Sequence, residues 1–369
     1  MHDNRPLLAA LFAEGKIDLL RGPLFDEEPG QPVCPIPFNR VEGMVLGLAV
    51  GDALGVPTES TLPGHRRTRY GEIRDFLPSR HNGERRGFPS DDTQLSAWTL
   101  DQLNIDGGLV PGNLAWRFRT SGTIFGIGRT MRQFLANMDH AGAAWDQAGV
   151  RSAGNGALMR IAPVVIPHLR HPTTKLWADV ALAARVTHND SASTAACLAL
   201  AHLLLELCQM HSPPASEWWL ATAVETMRQV EAHDDYRSRS KAYAEWHGYA
   251  WEYLEATVAH AFSQGDDVLT ACNRWHSGAY TLETLASVLY VMMRHGGSVE
   301  ECIVRAVNDT RDNDTVAAIV GALAGALHGR EAIPGRWLAG LTGRTSCADD
   351  GRLHQVLAEA SQRWFGGDA

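Results

Sequence analysis

The chain has 369 residues, enough for one large domain or two medium ones, and 45% of them are apolar, which excludes wholesale disorder. Its net charge is −9, with no block of Lys and Arg. That excludes nucleic acid as the main ligand, because phosphate neutralisation needs clustered cations.

The first twenty residues, MHDNRPLLAALFAEGKIDLL, lack a basic segment followed by a clean apolar one, so they predict no signal peptide. Pro6 to Ala13 predicts a short amphipathic helix. Five prolines then fall between Pro23 and Pro37. Proline fixes φ and removes a backbone donor, so this stretch should run extended across a surface. Residues 1–38 thus read as a proline-rich arm on a main body at 39–369. The arm carries Leu7, Leu8, Leu11, Phe12, Leu19, Leu20 and Phe25. Two uses are open for them: docking on the parent body, or insertion into another protein's groove.

From residue 39 onward apolar residues recur at helical spacing around 41–56, 94–105, 178–210, 282–294 and 299–328. Alternating β-branched runs are few, so the expected class is all-α. Joints are expected near 61–90, 106–112, 150–157, 211–216 and 263–267. The longest apolar run, Ala192 to Cys208, holds His202 and Glu206, and reads as a buried helix rather than a membrane span. The cysteines, Cys34, Cys197, Cys208, Cys272, Cys302 and Cys347, form no CxxC pair, which predicts reduced thiols in a cytoplasmic protein.

Two helices carry glycine at every fourth residue. The first has Gly43, Gly47, Gly51 and Gly55; the second has Gly321, Gly325 and Gly329. Each interior glycine costs a helix about 1 kcal/mol relative to alanine. Close backbone approach is the natural compensation, since residues four apart share a face. The two helices are therefore expected to pack on each other and to floor a site.

Two acidic clusters precede apolar helices: Ser90-Asp91-Asp92 and Asp312-Asn313-Asp314-Thr315. Ser and Asp are good N-caps, and carboxylates suit a first helical turn. That accounts for one or two of these groups. If both starts meet in the core, four carboxylates repel and raise one another's pKa, a difficulty a cation removes. An all-oxygen ligand set selects Mg²⁺, Mn²⁺ or Ca²⁺ over zinc. The formal charge of Asp91, Asp92, Asp312 and Asp314 would be balanced by two divalent ions.

GLAVGDALGVPTES, SDDTQLSAW, SAGNGALMRIAP, VTHNDSAS and NDTRDNDTVAAIVGALAGALHG occur in this order. Together they closely resemble the ADP-ribosylglycohydrolase family, which includes the bacterial dinitrogenase reductase-activating glycohydrolases. The resemblance covers about residues 39–330, and extends to IPGRWLAGL. It implies an all-α fold around two Mg²⁺ or Mn²⁺ ions. It also implies hydrolysis of the bond joining ADP-ribose to a protein side chain, arginine favoured, or to a small acceptor. Motif matching puts Ser90, Asp91, Asp92, Asp312, Asp314 and Thr315 at metal-ligand positions, with Ser90 where many members have Thr. Glu59 matches an acidic residue near the scissile bond, and Glu59, Asp92 and Asp314 form the expected catalytic group. Gly154, Asn155, Gly156 and His188 match loops lining the ADP-ribose pocket. Many relatives read NLGGDTDT where this chain has Asn308 to Thr315, so glycines are replaced beside the intact ligand spacing.

Roles follow from this match. The transition state should be oxocarbenium-like and stabilised by nearby carboxylates. Glu59 serves as base or acid, or else caps Thr61. Asn155 and Gly156 offer amide donors to a ligand, or form an ordinary loop. His188 contacts the ligand, or simply begins a helix beside Asn189 and Asp190. Gly126 and Gly128 in FGIGRT can bring backbone N–H groups to a pyrophosphate, though GxG alone is weak. The expected partner is an ADP-ribosylated protein, without nucleic acid or membrane. One alternative is an immunity protein that neutralises an ADP-ribosyltransferase toxin, partly through contact by the arm. Another is a binding module that holds ADP-ribose without turnover, which the intact acidic clusters oppose.

Overall fold

A computed structural model describes residues 2–78, 83–140, 142–348 and 350–366. The elements that position the site are α1 (Arg5–Ala13), α2 (Phe38–Gly55), α3 (Pro63–Tyr70), α4 (Asp91–Asp106), α5 (Arg129–Asp139), α6 (Lys175–Arg185) and α7 (Ser191–Gln209). They continue with α8 (Ser216–Arg228), α9 (Val268–Trp275), α10 (Thr281–His295), α11 (Val299–Asp309) and α12 (Asn313–His328). Among the described residues the only strands are β1 (Tyr236–Arg237) and β2 (His247–Gly248), an antiparallel pair. The fold is all-α.

The glycine faces of α2 and α12 meet as expected. A Cβ on Gly43 would overlap the carbonyl oxygen of Gly325, one on Gly47 that of Gly321, and one on Gly51 that of Ala317. A Cβ on Gly55 would overlap the Cα of Asp314. Rising numbers on one helix meet falling numbers on the other, so the pair is antiparallel. Backbones this close leave no room for side chains, which is the gain that offsets repeated interior glycine. The arrangement also has a functional consequence. It brings the C-terminal end of α2 against the N-terminal start of α12, where the second acidic cluster lies.

Two segments, Phe38–Thr58 and Ser191–Gln209, are long and apolar enough to cross a membrane, and both are mostly buried inside the protein. They serve here as core helices. Between α6 and α7 the apolar stretch at 178–210 breaks at residues 186–190. Asp190 starts α7 by accepting the Ser193 N–H, and the intervening chain bridges to Val150. The region 61–90, read as a joint, contains α3. Its polar sequence hides Arg66, which is fully buried and donates to the carbonyls of Thr61, Val307, Asn308 and Thr310.

The apolar side chains of the first 38 residues pack on the parent body. Leu8, Leu11, Leu19, Leu24, Phe25 and Ile36 are buried, Leu7 and Phe12 are partly buried against the core, and Leu20 remains exposed. Asn4 donates to Asp179 and to the Leu109 carbonyl, and the Leu20 N–H donates to the Val230 carbonyl. Docking therefore accounts for all of these leucines except Leu20. All six cysteines are free thiols.

Candidate active site

A cavity of about 500 Å³ opens where the end of α2 meets the starts of α4 and α12. Its acidic side is formed by Glu59, Asp91, Asp92, Asp312, Asp314 and Thr315. Gly126, Gly128, Gly154, Asn155, Gly156 and His188 line the other side. Thus the two acidic clusters do meet, with the expected loops across from them. Ser90 is the exception. It is buried beneath the cavity without lining it, and its hydroxyl donates to Asp52 at 2.7 Å, with Asp92 at 3.2 Å. Asp309, close in sequence to the second cluster, pairs with Arg305 and also lies off the cavity.

Helix capping does not explain these acids. Ser90 and Asp312 occupy the N-cap positions of α4 and α12, yet neither side chain accepts a hydrogen bond from its own helix start. The start of α4 is capped from another helix. Asp52 of α2 accepts the Ser90 N–H at 2.9 Å and the Thr93 N–H at 3.0 Å, and both hydroxyls as well. A carboxylate with four such donors is fully used, although it is entirely buried. Sequence reading passed over Asp52, a lone acid in an apolar helix; its position beside the glycine face was the available signal. With Asp52 as cap, Asp91 and Asp92 are released toward the cavity.

Burial and mutual repulsion act on the released groups. Burial, then the charge of Asp52, pushes the Asp91 carboxyl up to about 7. Asp92 and Asp314 are raised well above the ordinary range, again by burial first and neighbouring carboxylates second. Asp312 is pushed up to about 6 by burial, against the hydrogen bond from Asn155. Glu59 is raised by burial and by the charge of Asp52.

Among the described residues, no group of three or more His, Cys, Asp or Glu side chains converges tightly enough to enclose an ion. The donor chemistry nevertheless fits a hard cation. One oxygen of Asp92 and one of Asp314 are buried without any hydrogen-bond partner. Such orphaned anionic oxygens are costly unless a positive charge or a donor meets them. Every group on the acidic side offers oxygen, as Mg²⁺ or Mn²⁺ requires.

The opposite wall is stitched to the acidic side. Asn155 donates through Nδ2 to Asp312 at 2.6 Å and to Thr284 at 3.0 Å, so it holds a carboxylate instead of floating in a loop. The Asp312 N–H donates to the Ser277 carbonyl, and Ser277 sits at φ 44°. Strand-like bonds join Gly154 to Tyr280. His188 is buried, and a Cβ on Gly156 would lie 2.9 Å from its ring. Burial, then nearby Arg160, drives the His188 pKa down to about 3, so the ring is neutral. Gly126 has φ +61°, and a Cβ there would lie 3.0 Å from an Asp91 oxygen, so glycine is needed on both counts. Gly128 stands at the N-cap position of α5, whose start opens on the cavity.

Sequence reading also missed the cavity's cations, Arg129, Arg151 and Arg239. Arg239 is held by buried Glu283 in a two-point pair at 2.9 and 2.7 Å, with its guanidinium 4.8 Å from the centre of the Tyr280 ring. The residues replacing family glycines, Thr310 and Arg311, do not line the cavity. Thr310 is buried and its hydroxyl donates to the Ala306 carbonyl.

Comparison with known proteins finds relatives over most of the chain. The ADP-ribosylglycohydrolase family model matches residues 34–365. The ADP-ribosyl-[dinitrogen reductase] glycohydrolase of Rhodospirillum rubrum is 28% identical, over 83% of this chain and 92% of that protein. An ADP-ribosylarginine hydrolase, Tri1, of Pseudomonas putida is 26% identical, over 82% of this chain and 74% of that protein. A solved ADP-ribosylglycohydrolase-related protein complex superposes with a TM-score of 0.66 at 30% identity, covering 89% of this chain and 98% of that one. The chain belongs to the ADP-ribosylglycohydrolase family.

Proposed function

We propose that the protein hydrolyses the glycosidic bond between ADP-ribose and an arginine side chain of a modified protein, with two Mg²⁺ or Mn²⁺ ions bound. The observation that carries this reading is the convergence of Glu59, Asp91, Asp92, Asp312 and Asp314 on one cavity, with unpartnered buried oxygens on Asp92 and Asp314. Arginine as the acceptor is supported by the relative from Pseudomonas putida, an ADP-ribosylarginine hydrolase.

Asp91, Asp92, Asp312, Asp314 and Thr315 would hold the ions, with Ser90 in support beneath them. Bound divalent cations supply Lewis-acid chemistry, orienting hydroxyls and lowering the pKa of a water. The chain's own residues do the rest. The carboxylates of the acidic side stabilise positive charge developing at the anomeric carbon. Glu59 is partly buried, and burial raises its pKa above the ordinary carboxylate range, which favours a group that can hold and pass on a proton. It would take a proton from the attacking water or give one to the leaving guanidine. The α5 start, with Gly128, Arg129 and Thr130, offers backbone donors and positive charge to the pyrophosphate.

The test is incubation of the purified protein with arginine-, serine- and thymidine-linked ADP-ribose, with and without Mg²⁺. Release of ADP-ribose from the arginine conjugate, dependent on Mg²⁺, is the expected result. Release only from another conjugate would reassign the acceptor, and release from none would remove the reading.

A further inference from the structure

The arm reaches the cavity wall from behind. Its segment at residues 16–20 lies outside the stretch matched by the family model. The Lys16 carbonyl accepts from Arg185 Nε at 3.0 Å, from Arg185 Nη2 at 2.5 Å and from Asn189 Nδ2 at 3.2 Å. The Asp18 N–H donates to Asn189 Oδ1 at 3.1 Å. One amide side chain therefore reads two successive backbone groups of the arm, as a neighbouring strand would. The backbone of Asn189 is tied on its other side, its N–H donating to the Val150 carbonyl at 2.9 Å. Asp18 also meets His233 through Oδ1, and its Oδ2 lies 3.7 Å from Arg151 Nε.

Two cavity-lining residues are caught in this lattice. His188 adjoins Asn189, and Arg151 adjoins Val150. The His188 ring lies against Gly156, and the preceding residue, Asn155, holds Asp312. The arm grips the 185–190 turn through Arg185, which is 2% exposed, and through Asn189.

We propose that Asp18 of the arm and Asn189 of the turn are positioning residues for the substrate-facing wall, fixing His188 and Arg151 without touching substrate. This rests on the reading that the cavity binds ADP-ribose. An arm that only filled a surface groove would need its leucines; it would not need a carboxylate beside Arg151 or a backbone gripped by the amide next to His188.

Asp18→Ala and Asn189→Ala test it, with Arg21→Ala as a control that breaks an exposed arm pair with Asp26. KM for the ADP-ribosyl conjugate, and Kd for free ADP-ribose, should rise about three- to tenfold in each test variant, the equilibrium weight of roughly one hydrogen bond. Turnover at saturation should stay within about twofold, as expected for lost binding geometry. The control should match wild type. Amide exchange in segments 150–156 and 187–190 should quicken in both test variants while α2 and α12 stay protected. A lowered melting temperature with unchanged KM, Kd and exchange in those segments overturns the proposal, as does a fall in turnover alone. If wild type neither binds nor cleaves an ADP-ribosyl conjugate, the functional reading fails, and the exchange data still decide whether the arm positions the wall.

Discussion

The starts of α7, α9 and α11 contrast with those of α4 and α12. At α7 the Asp190 carboxylate accepts the Ser193 N–H at 3.0 Å; at α9 Asp267 accepts the Thr270 N–H at 2.7 Å; at α11 Ser298 accepts the Glu301 N–H. These caps close their own helices. At α4 and α12 the same residue types stand in the same places and cap nothing. The α4 cap comes from Asp52, on a helix that precedes it by 38 residues or more. An oxygen that its own helix does not use is free to face a ligand. The contrast separates acids that cap their own helices from acids that face the cavity.

The largest expected effect lies on the unused side of that contrast. Asp92→Ala and Asp314→Ala should each lower kcat/KM about a hundred- to a thousandfold, the scale of losing a preorganised charge at a reacting centre. Helical content by circular dichroism should be unchanged, and the metal-free variants should melt no lower than wild type, since like-charge repulsion is relieved. A melting temperature several degrees lower would make these carboxylates structural after all.

Asp52→Ala probes the borrowed cap. It would leave the Ser90 and Thr93 N–H groups and two hydroxyls without their acceptor. A loss of about 2–3 kcal/mol in urea unfolding is expected, with activity falling as the α4 start shifts. Unchanged stability would show that α4 needs no cap from α2.

His188 gives a pH signature. Its folded pKa is depressed to about 3 from 6.5, so below 6.5 the unfolded chain takes up a proton that the folded one refuses. Stability carried by the neutral ring is present above 6.5 and is lost as pH falls toward 3. The contribution is about 1 kcal/mol per pH unit within that window. Comparing urea midpoints of wild type and His188→Gln from pH 6.5 downward should show a shallower fall in the variant. Parallel curves would mean the ring titrates normally. The smallest effect belongs to a conventional cap: Asp267→Ala should cost about 1 kcal/mol or less and leave turnover alone. A loss of turnover there would blur the contrast.

Much of this was legible in the chain itself. Glycine at every fourth residue announced the α2–α12 contact, because only close backbones justify its repeated cost. The acidic clusters were visible because each precedes an apolar helix. What stayed hidden depended on partners remote in sequence. Asp52 looks like a stray polar residue until Ser90 and Thr93 fold onto it. Arg66 sits in an apparently solvated run, HRRTRY, yet is buried as a clamp on the α11 end. The polar run Thr187-His188-Asn189-Asp190 marks the break between α6 and α7, but only the bridge from His188 to Val150 reveals its use. Arg239 gave no local signal, since its meaning lies in Glu283, 44 residues later.

The central claim is that the two helix starts whose own N-cap side chains are unused as caps form one cation site. Its most direct test is titration of the metal-stripped protein with Mn²⁺, following bound metal by electron paramagnetic resonance, for wild type, Asp92→Ala and Asp314→Ala. Wild type should take up two ions, and each variant, though its change lies in a different cluster, should weaken or lose both. Wild type that binds no Mn²⁺, or variants that bind it as wild type does, would contradict the account.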